Sequence, residues 1–376
     1  MSYAKPINRL KIKGFKSLVD VDLSLKSLNV LLGANGAGKS NLVGYFRLLG
    51  QMIDRNLQYY VSEQGGAERI LSNGIKECEK LQSFVSFGLN GYYFDLRPAV
   101  DGGLVFKEEK TYFDGPYYGE TYTSLGSGHK ESLLKDEYEK SKAGSVISYC
   151  YESVKNWRVY HFHDTTDTAA VKRKCSLHDN KYLRPAADNL AAFLYDLKHN
   201  HQVEYQKIIK VIRLALPYFD DFVLEPEELA TEEKQIRLLW KQKNSDYDLW
   251  PTQLSDGSLR FICLATALLQ PSPPSTIIID EPELGLHPYA IVLLGSLLKT
   301  ASQRMQVIVS TQSVPLVDQF SIDNLNIVER NHEGTKFKEL SAEEFTNWLE
   351  DYSLGELWEK IFWVGDLKHG KSSYYM

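Results

Sequence analysis

Cysteine is scarce in this chain: four residues in 376 (Cys78, Cys150, Cys175 and Cys263), far apart and without a C-x-x-C pair. That excludes a disulfide framework and a thiolate metal cluster, and fits reduced thiols in a cytosolic protein. Long apolar runs are missing as well. No stretch reaches the roughly 20 residues of a membrane-spanning helix, and the opening MSYAKPINRLKIKGF lacks a signal-peptide core. The expected location is therefore cytoplasmic, with no membrane partner. There is no excess of basic charge: 43 Lys and Arg stand against 49 Asp and Glu, for a net charge of −6. Nucleic-acid binding is not indicated by that balance, although a local patch stays open. Internal repeats and sustained heptads are absent, which excludes a solenoid and a coiled coil. The remainder is of ordinary globular make-up, 43% hydrophobic and 24% charged. It is enough for two domains or one large α/β domain with insertions.

The most informative stretch is Gly33-Ala34-Asn35-Gly36-Ala37-Gly38-Lys39-Ser40. It follows the apolar run 28–32 and precedes Asn41-Leu42-Val43-Gly44-Tyr45-Phe46, so it reads as strand, glycine loop and helix. That context gives the pattern G-x-x-x-x-G-K-[ST] its meaning. The glycines let successive N–H groups turn inward toward phosphate oxygens, and the helix N-terminus adds partial positive charge. Asn35, Gly36, Ala37, Gly38 and Asn41 belong to this cradle. Lys39 would reach the β- and γ-phosphates, and the Ser40 hydroxyl would ligate Mg²⁺. The pattern implies a nucleoside triphosphate as ligand.

Along the chain, 7–12 and 19–25 alternate as strands around a turn at 14–17, and 28–32 reads as a buried central strand. The helix after the loop extends to about residue 53. Residues 83–114 read as an antiparallel meander with turns at Asn90-Gly91 and at Asp101-Gly102-Gly103. Residues 115–145, rich in Gly, Ser, Lys and Glu, read as an exposed, mobile excursion. A strand at 159–162 follows, then helices at 188–197 and 203–216, and strands at 222–224 and 236–240. A helix after Asp256-Gly257 comes next, then the most apolar strand, 276–279, a helix over 288–300, and a buried strand at 306–310.

Two further stretches carry chemistry. Ile277-Ile278-Ile279-Asp280-Glu281 puts two carboxylates at the C-terminal end of a strand, where ligands bind in open α/β sheets. Asp280 would hold Mg²⁺, and Glu281 would take a proton from the water that attacks the γ-phosphate. Leu254-Ser255-Asp256-Gly257 opens a helix and offers a second anion site from an N-cap and free N–H groups.

The phosphate loop, L-S-D-G, D-E-P-E-L-G-L-H-P and Ser310-Thr311-Gln312-Ser313, in this order, resemble the ABC-type ATPases of the RecF/SMC-like branch. The opening Leu10-Lys11-Ile12-Lys13-Gly14-Phe15-Lys16-Ser17 resembles that branch rather than transporter subunits. Tyr160-His161-Phe162-His163-Asp164, Asp188-Asn189-Leu190, and Trp348-Leu349 with Leu357-Trp358 are similar to compact RecF-like ATPases of bacteria. These occur in anti-phage and mobile-element gene clusters. The resemblance covers most of the chain apart from 115–145 and the last dozen residues.

What it implies is an α/β fold: an ABC-type P-loop ATPase head with a mixed β-sheet core, an antiparallel β subdomain and a helical lobe. The single composite unit would span 1–376. Its parts would be a nucleotide-binding lobe with the meander (1–114), an excursion and helical lobe (115–253), the signature helix, acidic strand and switch strand (254–340), and a C-terminal helical tail (341–376). In such ATPases two copies meet head to tail, so Ser255 and Gly257 would contact ATP held by the partner, in a homodimer. Lys16 and Ser17 join the nucleotide-binding set by the same resemblance. Gln312 stands where many members have His; an amide donates to a γ-phosphate oxygen but carries no proton, so it reads as a sensor. The glutamine loop between lobes has no clear counterpart, with 160–166 as a stand-in.

His161 and His163 share one side of a strand without a convincing third metal ligand beyond Asp164. Lys172, Arg173 and Lys174, with Lys181 and Arg184, form the one compact basic patch, read as a solvated face before a nucleic-acid contact. About sixty residues follow Gln312, too few for the nuclease module that related OLD-type proteins append. The output is therefore expected from a separate effector, a nuclease or toxin. The main rival is a RecF-like repair ATPase that clamps DNA. A transporter subunit and a non-hydrolysing scaffold fit the motifs less well.

Overall fold

The computed structural model describes residues 3–117, 119–229, 233–340 and 353–356. The expected tail over 341–376, with its Trp348-Leu349 and Leu357-Trp358 pairs, lies outside them except for 353–356.

Strands β1 (Arg9–Phe15) and β2 (Leu18–Ser24) pair as a hairpin whose alternation buries Leu10, Ile12, Val21 and Leu23 on one side. Every residue of β3 (Leu28–Leu32) is buried. The glycine loop then delivers α1 (Lys39–Ile53), followed by α2 (Leu57–Glu63) and α3 (Ala67–Ile70). Next come β4 (Leu81–Phe87), β5 (Asn90–Pro98), β6 (Leu104–Gly115) and β7 (Gly119–Gly126). These four extend the first hairpin into a six-stranded antiparallel sheet, ordered β2-β1-β4-β5-β6-β7. Helices α4 (Leu134–Lys140) and α5 (Val146–Lys155) lead into β8 (Trp157–Tyr160).

A lobe of helices and short strands follows: β9 (Cys175–Ser176), α6 (Leu190–Asn200), α7 (Gln202–Ala215), β10 (Phe219–Val223), β11 (Glu227–Glu228), β12 (Lys234–Ile236) and β13 (Leu239–Gln242). The chain then alternates α8 (Asp256–Leu269), β14 (Thr276–Asp280), α9 (Pro288–Ala301), β15 (Gln306–Thr311) and the short α10 (Val314–Val317). It closes with the hairpin β16 (Leu325–Asn331) and β17 (Gly334–Glu339).

The second six-stranded sheet, ordered β17-β16-β3-β15-β14-β8, is parallel except at the β16–β17 edge. Its central strands are continuous apolar runs because both faces are covered. Leu31, Ile278, Ile308 and Val328 join the core around α1 and the antiparallel sheet. Val30, Ile277, Ile279, Val307 and Val309 pack into the core that holds α6 to α9. The result is layered: antiparallel sheet, α1, mixed sheet, helices. This bears out the expected α/β class, with mixed core, antiparallel subdomain and helical lobe.

Several local expectations need correction. The hairpin between β4 and β5 turns at Gly88-Leu89, not at Asn90-Gly91; Phe87 pairs with Asn90 and Gly88 has φ +63°. Stretch 236–240 is divided between β12 and β13, which belong to different sheets. The excursion is not a loose loop. Residues 119–126 complete the antiparallel sheet as its edge strand, and Leu134 is fully buried.

What fastens the excursion is a buried carboxylate. Glu109, fully buried on β6, accepts hydrogen bonds from Tyr92 Oη (2.5 Å), Ser132 Oγ (2.6 Å), His129 Nε2 (2.8 Å) and the Leu133 backbone N–H (3.0 Å). His129 also stacks on Phe106, with ring centroids 4.6 Å apart. A buried carboxyl bonded to four groups pins residues 129–133 to the sheet.

Candidate functional site

The phosphate loop leaves the end of β3 and turns into α1 with Gly36 at φ +81° and Gly38 at φ +109°. Side chains are excluded at the second position for a steric reason too: a Cβ on Gly38 would lie 2.0 Å from Thr335 Oγ1. The back of the loop is held by a small hydroxyl network. Thr335 Oγ1 meets the Ala37 carbonyl at 2.9 Å and Ser17 Oγ at 2.7 Å, and Asn41 Nδ2 donates to Ser17 Oγ at 2.7 Å. Ser17 is buried and acts on the loop from behind.

In front of the loop is a cleft of about 150 Å³ lined by Asn35, Gly36, Gly38, Lys39, Ser40, Asn41, Glu281 and Arg330. Lys39 is 4% exposed and donates from Nζ to the carbonyls of Gly33 (2.6 Å) and Ala34 (3.0 Å). Burial lowers its pKa, opposed by the charges of Glu281, Asp280 and Glu283. Ser40, one residue on, is exposed.

The acidic pair arrives from the end of β14, two strands along from β3. Asp280 ends β14 opposite Ser310 of β15, whose hydroxyl donates to its Oδ1. Glu281 follows in the left-handed region at φ +44°, its N–H bonded to the Ser310 carbonyl at 2.9 Å. A non-glycine residue in that region stores of order 1–3 kcal/mol of strain, and such residues cluster at functional sites. Glu283 lies behind the pair: it is 7% exposed, accepts from Thr311 Oγ1 at 2.5 Å, and has no partner for Oε2 among the described residues. Burial raises its pKa, against the Thr311 hydrogen bond. Gln312, next in the chain, is half-buried and does not line the cleft.

The signature stretch forms the start of α8. Ser255 is its N-cap and accepts from the Ser258 N–H at 3.2 Å. Ser255 is exposed and lies outside the cleft of its own chain, as does Gly257. The helix start is nevertheless seated on the acidic turn: a Cβ on Gly257 would lie 2.0 Å from the Gly285 carbonyl. Buried Arg260 ties the same parts together, its guanidinium donating to the carbonyls of Phe162 (2.9 Å), His163 (3.4 Å) and Leu284. His163 Nε2 in turn bonds the Asp280 carbonyl at 3.0 Å. The stretch 160–166 thus does reach the acidic strand.

Other sequence candidates fall elsewhere. Lys16 (φ +46°) donates to Gln64 Oε1 at 3.2 Å and does not line the cleft. The basic patch is largely neutralised: Lys172 is buried with Nζ on the Thr165 carbonyl (2.7 Å), Lys174 pairs with Glu227, and Arg184 with Asp179 (3.0 Å). No group of three His, Cys, Asp or Glu residues fit for a metal occurs among the described residues.

His161 stacks on His163 with centroids 4.1 Å apart. Partial burial, with help from His163 and Arg47, pushes its pKa down to about 4. A histidine depressed in the folded state is charged only after unfolding between about pH 6.5 and 4, so its contribution to stability is lost as pH falls through that window. An NMR titration should find His161 still neutral at pH 5.5. Half-protonation near pH 6.5 would contradict this environment.

Arg330 is the residue that sequence reading misses. It lies on β16, in a hairpin whose short apolar run, Leu325 to Val328, is followed by polar residues and carries no motif.

Residues 28–318 match the AAA_21 family, described as "AAA domain, putative AbiEii toxin, Type IV TA system". No curated protein matches the chain. Among solved structures, the chain is similar to an SMC head bound to the C-winged helix domain of ScpA, with 16% identity, 91% of this chain and 99% of that one covered, and a TM-score of 0.56. It is also similar to an SMC head with an extended coiled coil bound to the C-terminal domain of ScpA, derived from Pyrococcus furiosus, with 16% identity, 92% and 99% coverage, and a TM-score of 0.55. No described helix is long and apolar enough to cross a membrane. The chain belongs to the AAA_21 family and has the fold of SMC-type ABC ATPase heads.

Proposed function

We propose that the protein binds and hydrolyses ATP in a head-to-tail homodimer, and that this cycle switches a separate effector, a nuclease or toxin, in bacterial anti-phage defence. The observation that carries the reading is a division of labour in the geometry. Lys39, Ser40 and Glu281 converge on one cleft, while Ser255 and Gly257 stand outside it, available to a second copy.

In this reading the loop N–H groups and Lys39 hold the phosphates. Lys39 exchanges the Gly33 and Ala34 carbonyls for phosphate oxygens. Ser40 and Asp280 are hard oxygen donors fit to hold Mg²⁺ together with phosphate oxygens, which suits an ion that uses few protein ligands; the bound ion would offset phosphate charge. Glu281 accepts the proton of the attacking water as its oxygen bonds the γ-phosphorus and the β–γ bridging bond breaks. The left-handed backbone at Glu281 favours one fixed aim for that carboxylate. Gln312 serves as a γ-phosphate sensor. An effector that prefers the closed dimer is regulated by as much as its differential affinity allows.

The family's association with a type IV toxin–antitoxin system supports a paired effector, and the ScpA domains on the similar SMC heads support a partner-bearing head. The DNA-clamp alternative is weakened, since three of the five patch cations, Lys172, Lys174 and Arg184, are engaged by carbonyl and carboxylate groups, leaving Arg173 and Lys181 exposed.

Ser255→Arg tests the dimer. It should bind ATP with wild-type affinity yet remain monomeric by light scattering, with turnover reduced at least tenfold. Wild-type turnover by this variant would remove the sandwich reading.

A further inference from the structure

We propose that Arg330 is a phosphate-contacting residue, and that the β16–β17 hairpin forms the second wall of the nucleotide site. The inference rests on the ATP-binding reading above and adds a residue to it.

The backbone sets the position. β16 pairs with β3 only as far as Ile327 opposite Leu32. Beyond that point β3 becomes the phosphate loop, and the rest of β16 runs on beside it. The approach is close: a Cβ on Gly33 would lie 2.4 Å from the Val328 carbonyl. Within the hairpin, Arg330 is directly opposite Thr335. Directly opposed residues of an antiparallel pair project to the same face. Thr335 uses that face to hold the Ala37 carbonyl at 2.9 Å, so the Arg330 side chain leaves the hairpin on the loop side, where it lines the cleft.

Charge gives the position its purpose. Lys39 faces the carboxylates of Glu281, Asp280 and Glu283, so the β14 side of the cleft is acidic. A polyphosphate entering there meets one lysine already shared among acids. Arg330 comes from the opposite side of β3, and its guanidinium has no ion-pair or hydrogen-bond partner among the described residues. A guanidinium presents a planar fork of donors suited to phosphate oxygens. Arg330 and Lys39 then grip the polyphosphate from two walls, while Glu281 is left to the attacking water.

The test is isothermal titration of inorganic tripolyphosphate and of ATP into wild type, Arg330→Ala, Arg330→Lys and Lys39→Ala. Arg330→Ala should weaken both ligands by roughly 10- to 100-fold, the effect of one charge-assisted hydrogen-bonded contact. It should also flatten the salt dependence of binding, and Arg330→Lys should recover part of the affinity. An unchanged thermal midpoint without ligand separates this from misfolding; if the midpoint falls, Arg330→Lys and its salt dependence carry the comparison. Wild-type affinity in Arg330→Ala, with binding lost in Lys39→Ala, overturns the role of Arg330 alone. Wild-type affinity in both overturns the phosphate-loop reading and this proposal with it.

Discussion

Replacing Glu281 by Gln is expected to lower ATP turnover by about 100- to 10,000-fold, the range for losing a positioned general base. ATP binding should persist. Gln keeps the volume and hydrogen-bonding reach of the side chain but cannot accept a proton. The backbone at this position, φ +44° and tied to the Ser310 carbonyl, is retained because it does not depend on the carboxylate. Lys39 and Ser40 remain to hold the nucleotide. The unhydrolysed complex should accumulate as a dimer, visible by light scattering with ATP and Mg²⁺ and absent with ADP. Wild-type hydrolysis by this variant would falsify the assignment of the base.

Glu109→Ala should destabilise the fold by about 2–4 kcal/mol, since a cluster of hydrogen-bond donors loses its shared acceptor. The substitution takes the acceptor from buried Tyr92 Oη and Ser132 Oγ, which keep each other at 3.2 Å, and from half-buried His129 Nε2 and the Leu133 N–H, with about 1–3 kcal/mol for each buried group left unpaired. Partial collapse and entering water keep the total below the simple sum. Denaturant titration gives the number, and protection from hydrogen exchange should fall first at residues 129–133. A change below about 1 kcal/mol would mean that the segment is held by its apolar contacts, such as buried Leu134, and not by the carboxylate.

The sequence is most readable where one physical constraint dominates. Strands 28–32, 276–280 and 306–311 are covered on both faces, so their apolar runs announce them. The phosphate loop and the acidic pair are read from motifs whose spacing follows from phosphate geometry. The excursion misleads because its anchor is not apolar: Glu109, Ser132 and His129 look like surface residues until they meet across 20 or more positions. The Asn90-Gly91 pair is a strong turn signal overruled by cross-strand pairing, since turning at Gly88-Leu89 leaves Tyr92, Phe94 and Leu96 on the buried face. Arg330 has no local signal at all. Its placement depends on β16 outrunning β3, a property of two segments separated by nearly the whole chain.

The seating of Gly257 on the Gly285 carbonyl has a consequence for genetics. Here two stretches of main chain touch, with no side chain between them to remove. Systematic truncation to alanine, which reveals contacts by deleting atoms, reaches this junction through Arg260, whose guanidinium donates to the Leu284 carbonyl; at the glycines themselves it adds an atom instead. In a head-to-tail pair, the stretch that answers to the neighbour's nucleotide and the turn that carries a subunit's own acids would therefore move as one piece. Variants that uncouple the two sites should be found among enlarged glycines, at 257 and 285, while conventional loss-of-contact libraries touch the junction only through Arg260.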